Sequence, residues 1–245
     1  MDTFYISLAL GGAAAGANVV GGLLVAVKRR WDEVLLKHFV ALGAGFMLGA
    51  SFLAMVPESV RLTPLAPLLI LIGYLIIHFF EHTLAPHFHF GEETHLEVGL
   101  TPSVGIFALT GLLIHTFFDG VSIASGFHVG PSLGTLIFIA VILHKIPEGF
   151  TISSIMLASG RSRRTAVTSS VALGVSTIVG VLFASYLEGL LGYWLALSAG
   201  VMIYVAASDL IPEVNREKGA LMAVMVFVGV ALFYLTERLL SGLGW

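Results

Sequence analysis

Apolar residues run through this chain in long, nearly unbroken stretches. They follow neither the rhythm of a surface helix nor the alternation of a half-buried strand. Eight such stretches are read, over 4–27, 38–57, 66–82, 104–127, 132–157, 165–187, 193–212 and 219–240. Each comes near or above the ~20 residues a helix needs to cross the hydrocarbon of a bilayer. A helix satisfies its backbone hydrogen bonds internally, which water-free surroundings demand. The pattern therefore predicts an all-α, polytopic membrane protein of eight transmembrane helices, with one transmembrane domain over 1–245. The third stretch is the shortest, since Pro64 and Pro67 delay its start and His78, Glu81 and His82 end it.

Composition agrees, with 57% hydrophobic and only 11% charged residues and a mean hydropathy of +0.98. A formal charge of −3 offers nothing to nucleic acid, and the absence of Cys excludes disulfides and thiolate metal sites. The first stretch is Gly/Ala-rich with no basic segment before it, so it is expected to stay as a span and not be cleaved. Lys and Arg set the orientation. With the N-terminus outside, the inner connections receive Lys28, Arg29, Arg30, Lys37, Arg161, Arg163, Arg164, Arg216 and Lys218, and the outer ones only Arg61 and Arg238. This asymmetry predicts that both termini face outward, and it points to a cell membrane, plasma or inner.

The connection over 83–103 falls on the cytoplasmic side. It holds His87, His89, His95, Glu92, Glu93 and Glu97, and reads either as a solvated linker or as a weak metal-collecting loop. An internal repeat is also visible. Ala44-Gly45-Phe46-Met47 precedes Pro57-Glu58 as Ala199-Gly200-Val201-Met202 precedes Pro212-Glu213, with twelve residues from Gly to Pro in both. The two copies run in opposite directions across the bilayer, which predicts a 3+2+3 arrangement with spans 1–3 and 6–8 as inverted repeats around spans 4 and 5.

Spans 4 and 5 carry the unusual chemistry. His115 and Asp119 lie in one and His144 and Glu148 in the other, each pair spaced to share a helix face near the bilayer centre. Ionisable side chains there are costly and normally mark function. Two imidazoles and two carboxylates around one point would suit a divalent cation such as Zn²⁺, Fe²⁺, Mn²⁺, Co²⁺ or Ni²⁺, and would disfavour Cu⁺. Pro147 removes one amide from span 5, frees the carbonyl near Leu143, and predicts a kink beside His144.

The segments His115-x-x-x-Asp119-Gly120 and His144-x-x-Pro147-Glu148-Gly149 resemble the fourth- and fifth-helix motifs of the ZIP (Zrt/Irt-like protein) metal transporters. Eight spans, outward termini and a His-bearing loop after span 3 extend the resemblance over essentially the whole chain. It implies uptake of divalent metal, Zn²⁺ first and Fe²⁺, Mn²⁺, Co²⁺ or Cd²⁺ as alternatives, into the cytosol between spans 4 and 5. The metal is then cargo, and no cofactor is expected. The partners are the metal and the lipid bilayer, with a homodimer left open. The resemblance also suggests that His78, His82 and Asp209 line an exit path.

Many family members carry a second metal position, with Asn after the span-4 His, Asn or Asp after the span-5 His and Glu in the sixth helix. Here these places hold Thr116, Lys145 and Thr177. One bound metal is therefore expected, with the Lys145 ammonium where a second cation would sit. The reading from another class is an intramembrane zinc-dependent hydrolase, for which the chain lacks a His-Glu-x-x-His motif.

Overall fold

Long apolar runs become long helices because each backbone amide finds its acceptor four residues back. In the computed structural model, residues 3–27, 33–84, 102–216 and 220–242 are described, and every element among them is helical. In order these are α1 (Thr3–Val27), α2 (Glu33–Gly49), α3 (Val56–Leu62), α4 (Ala66–Leu84), α5 (Pro102–Val129), α6 (Pro131–Ala158), α7 (Arg163–Tyr186), α8 (Leu191–Tyr204), α9 (Ile211–Asn215) and α10 (Leu221–Gly242). A π-helical turn, Ala50–Met55, joins α2 to α3, and another, Val205–Leu210, joins α8 to α9.

Eight segments are long and apolar enough to cross a membrane: Thr3–Val25, Lys37–Leu62, Ala66–Thr83, Gly105–Val129, Pro131–Ala158, Arg163–Tyr186, Leu191–Leu210 and Leu221–Gly242. They coincide with the eight apolar stretches of the sequence. One end differs: α4 runs on through His78, Glu81 and His82 to Leu84. Of these, Glu81 accepts from Tyr204 of α8, while His78 and His82 are exposed and pack on each other. The histidines at 87, 89 and 95 and the cations Lys28, Arg29, Arg30 and Lys218 lie outside the described residues.

Between α6 and α7 the chain reverses in a tight cap. Arg161 N donates to Met156 O and Gly160 N to Leu157 O, with Gly160 at φ 79°, the left-handed conformation that glycine adopts without strain. Ser162 then starts α7 by accepting from Thr165 N.

The helices pack through glycines that bring backbones into contact, as is common where lipid supplies no hydrophobic drive between helices. A Cβ on Gly149 (α6) would lie 1.9 Å from Asn18 O, and one on Gly21 (α1) 2.1 Å from Ile146 O. The same reciprocal contact joins α5 to α7, through Gly120 against Thr177 O at 1.9 Å and Gly180 against Phe117 O at 2.0 Å. A second pair of interfaces repeats the device. Gly45 meets Val226 O and Gly229 meets Leu42 O between α2 and α10, while Gly200 meets Ile70 O and Gly73 meets Leu197 O between α8 and α4. Thus α1 contacts α6 as α7 contacts α5, and α2 contacts α10 as α8 contacts α4. An apolar core of Met47, Met55, Ile123, Phe127, Ile137, Met202 and Phe233, among others, fills the space where α2, α5, α6, α8 and α10 meet.

Candidate metal centre

His115 and Asp119 lie one turn apart on α5, and His144 and Glu148 one turn apart on α6. Because α5 packs on α6, the two faces meet. One ligand atom from each of the four residues can be chosen so that all lie within 4.8 Å of one another. All four are buried, none more than 4% exposed. The sequence-predicted quartet is therefore assembled in space.

The hydrogen bonds around it are unequal. His144 Nδ1 lies 2.9 Å from Ala140 O, and since a carbonyl only accepts, Nδ1 carries the hydrogen. In the neutral ring that leaves a lone pair on Nε2, which points at Asp119 Oδ2 at 3.4 Å. Backbone support of this kind is the usual way to orient a ligating imidazole. His115 Nε2 stands 3.1 Å from Asp119 Oδ2 and 3.9 Å from Glu148 Oε1. Both ring nitrogens of His115 and Oε1 of Glu148 are buried without a hydrogen-bond partner. Buried polar atoms are normally satisfied, so lone pairs converging on one point without donors fit a cation-binding site.

Lys145 lies on the same helix, fully buried. Its ammonium donates to Asp119 Oδ2 and to Glu148 Oε2, both at 2.6 Å. It thus bridges the carboxylates of α5 and α6 and does not extend to a polar cavity. Thr116 and Thr177 are also buried, but each hydroxyl bonds its own helix, to Leu113 O at 3.1 Å and Leu173 O at 3.2 Å. Pro147 lies within α6, which continues through it.

The residues singled out for an exit path stand apart from this quartet. His78 and His82 stack on α4 with ring centroids 4.1 Å apart, and His82 Nδ1 lies 3.0 Å from His78 O. Asp209 sits in the π turn after α8, 2% exposed, facing Glu81 and with Oδ1 unpartnered. Tyr204 donates to Glu81 Oε2 at 2.8 Å and packs on Tyr74, whose hydroxyl is 3.0 Å from Ser208 Oγ.

Sequence reasoning passed over Glu81, Tyr204 and Asn18 as members of these networks. Glu81 was legible as a carboxylate inside an apolar span. Asn18, the one amide inside the first span, could have been flagged by the same rule.

Comparisons with known proteins agree with this geometry. The sequence profile of the family described as ZIP Zinc transporter matches residues 91–237, more than half of the chain. The human zinc transporter SLC39A7 is 30% identical over 137 residues, covering 51% of this chain and 29% of that protein. The mouse zinc transporter SLC39A7 is 29% identical over the same length. The human zinc transporter ZIP6 is 28% identical over 137 residues, covering 52% of this chain and 18% of that protein. The chain thus spans less than a third of the length of these relatives. With eight apolar spanning helices, a buried His/carboxylate quartet between α5 and α6 and this match, the chain belongs to the ZIP zinc transporter family.

Proposed function

We propose that this chain carries divalent transition-metal cations, Zn²⁺ foremost, across a membrane into the cytosol, with His115, Asp119, His144 and Glu148 as ligands. The observation that carries the reading is the unpartnered convergence of His115 Nε2 and Glu148 Oε1 beside His144 Nε2 and Asp119 Oδ2 at a buried point. A mixed N/O donor set of this size suits a borderline metal, and names of relatives favour zinc. Fe²⁺, Mn²⁺, Co²⁺ and Cd²⁺ are competitors to be ranked by experiment.

One ion is expected to bind at a time. Formal charges of −1 on Asp119 and Glu148 and +1 on Lys145 leave room for a single divalent ion, and the ammonium occupies the side of the carboxylates where a second would approach. Thr116 and Thr177, whose hydroxyls donate to carbonyls of their own helices, bring none of the negative charge that a second divalent ion would need. Two ions found together between α5 and α6 in Zn²⁺- or Cd²⁺-soaked protein would sink this stoichiometry.

The nine-to-two division of basic residues supports outward termini in a plasma or inner membrane. Inward movement of a cation is then downhill where the inside is negative, without a pump. Asp209, with its free Oδ1, and the His78–His82 pair would receive the ion on the cytoplasmic side. Pro147 would let α6 flex where the ligands must open. The matched glycine contacts support inverted repeats, with α1, α2 and α4 related to α7, α8 and α10. A hydrolase would need a free general base beside a metal-bound water. Both site carboxylates are instead tied to Lys145.

The test is metal flux into proteoliposomes holding the purified chain and an internal Zn²⁺ reporter. Saturable uptake, abolished by His144→Ala, is expected; no uptake above empty vesicles refutes the function. Uptake should also fall as pH is lowered, because a protonated imidazole cannot ligate.

A further inference from the structure

Asn18 is a fully buried amide on α1, outside the ligand quartet. A buried amide left without partners is costly, so its donors and acceptors are expected to be paired. With the amide oriented as its acceptors require, the nitrogen donates to the Lys145 carbonyl at 2.7 Å and to Glu148 Oε2 at 3.2 Å. We propose that Asn18 is a positioning residue that makes Glu148 a one-oxygen ligand, holding Oε2 so that only Oε1 faces the transported cation. The proposal rests on the metal-transport reading of the site.

Three observations carry it. First, the two oxygens of Glu148 are treated differently: Oε2 receives Lys145 Nζ at 2.6 Å as well as Asn18, whereas Oε1 has no partner and faces His115 Nε2. Second, Lys145 divides its ammonium between Glu148 and Asp119, so it cannot by itself decide how the Glu148 carboxylate is turned. Asn18 does not share that ambiguity, because its second acceptor is the backbone of the helix that bears Glu148. Third, Asn18 has nowhere to go. Its carbonyl lies where a Cβ on Gly149 would stand, and Gly21 is pressed against Ile146 in the same way. The side chain is therefore presented to Glu148 by a backbone contact that leaves no slack. Thr177 holds the matching place against Gly120, yet its hydroxyl turns to Leu173 O. Of these two matched positions, only the one on α1 supports a ligand.

Two variants of the full chain separate hydrogen bonding from packing. Asn18→Asp keeps the shape and loses the donor; Asn18→Ala loses both. In both, the half-saturating Zn²⁺ concentration for proteoliposome uptake should rise roughly tenfold or more, the usual scale for a lost partner of a ligand, with a smaller change in maximal rate. Co²⁺ bound to the detergent-solubilised chain gives an independent readout. A four-coordinate site has intense visible bands, and these should weaken in both variants as Glu148 offers its second oxygen. Unchanged half-saturation and unchanged bands in both variants overturn the proposal. So does a normal Asn18→Asp beside an impaired Asn18→Ala, which would assign Asn18 to packing alone. If the unaltered chain moves no Zn²⁺, the transport reading fails, and the Co²⁺ bands still decide the role of Asn18.

Discussion

Among the described residues, carboxyls meet across helices in two places, and they are held by different means. Between α5 and α6, Asp119 and Glu148 share a lysine ammonium; between α4 and the turn after α8, Glu81 faces Asp209 and accepts from the hydroxyl of Tyr204. The first group is held by an ammonium that is covalently part of the site, the second by a neutral hydroxyl. The first group thus keeps a fixed positive charge on one side and unmatched lone pairs on the other, a place with room for one further cation. The second leaves Asp209 Oδ1 without a partner.

The sharpest way to break this comparison is to remove a ligand from the first group. Glu148→Ala should abolish metal uptake while the protein still reaches the membrane; full activity in reconstituted vesicles would sink the site assignment. Lys145→Ala comes next. It leaves two buried carboxylates without their cation, and loss of one partner of such a pair costs about 3–5 kcal/mol. The metal-free variant should unfold at a lower temperature than the parent, and added Zn²⁺ should raise its midpoint by more than it raises the parent's. Equal Zn²⁺ shifts would show that Lys145 does not stand in for an ion. Tyr204→Phe removes one bond to Glu81, worth about 1.5–3 kcal/mol if that group is charged. A melting curve shifted by this variant, with half-saturating Zn²⁺ unchanged, would separate the two groups. The smallest effect is expected from Asp209→Asn, which keeps the shape of the side chain and removes its charge. Stability should hold while uptake slows severalfold; an unchanged rate would remove Asp209 from the exit path.

How much of this was legible in the sequence depends on the range of the interaction. The spans could be read because hydrocarbon imposes a length on each apolar run, and the ligand pairs because one helical turn fixes four residues. The direction of the Thr116 and Thr177 hydroxyls was not legible, since a threonine hydroxyl in a helix can turn back to the preceding carbonyls or outward, and only packing decides. Nor was the bond from Asn18 to Glu148, which joins two distant spans through the contact at Gly149. Glu81 stood out as a charge, but its bond from Tyr204 exists only once α4 lies on α8. Gly45 and Pro57 match Gly200 and Pro212 in spacing, while the π turns between them leave no mark of their own in the sequence.

Those two turns bear on which mutations the chain can absorb. A π turn carries about one residue more than the α-helix it interrupts, and each added residue rotates the downstream half of the span by roughly 100°. Before its turn α2 lies on α10, and after it the chain lies on α8; α8 lies on α4, and the chain beyond its turn lies on α2 and α10. Taking one residue out of Ala50–Met55 or Val205–Leu210 would restore a regular helix and point the far end of the span at the wrong neighbour. At least half of the side chains in each turn are buried, so substitutions at those positions are confined to residues of similar size. A change of length is costlier still: it misdirects every contact beyond the turn, where a single side chain loses only its own.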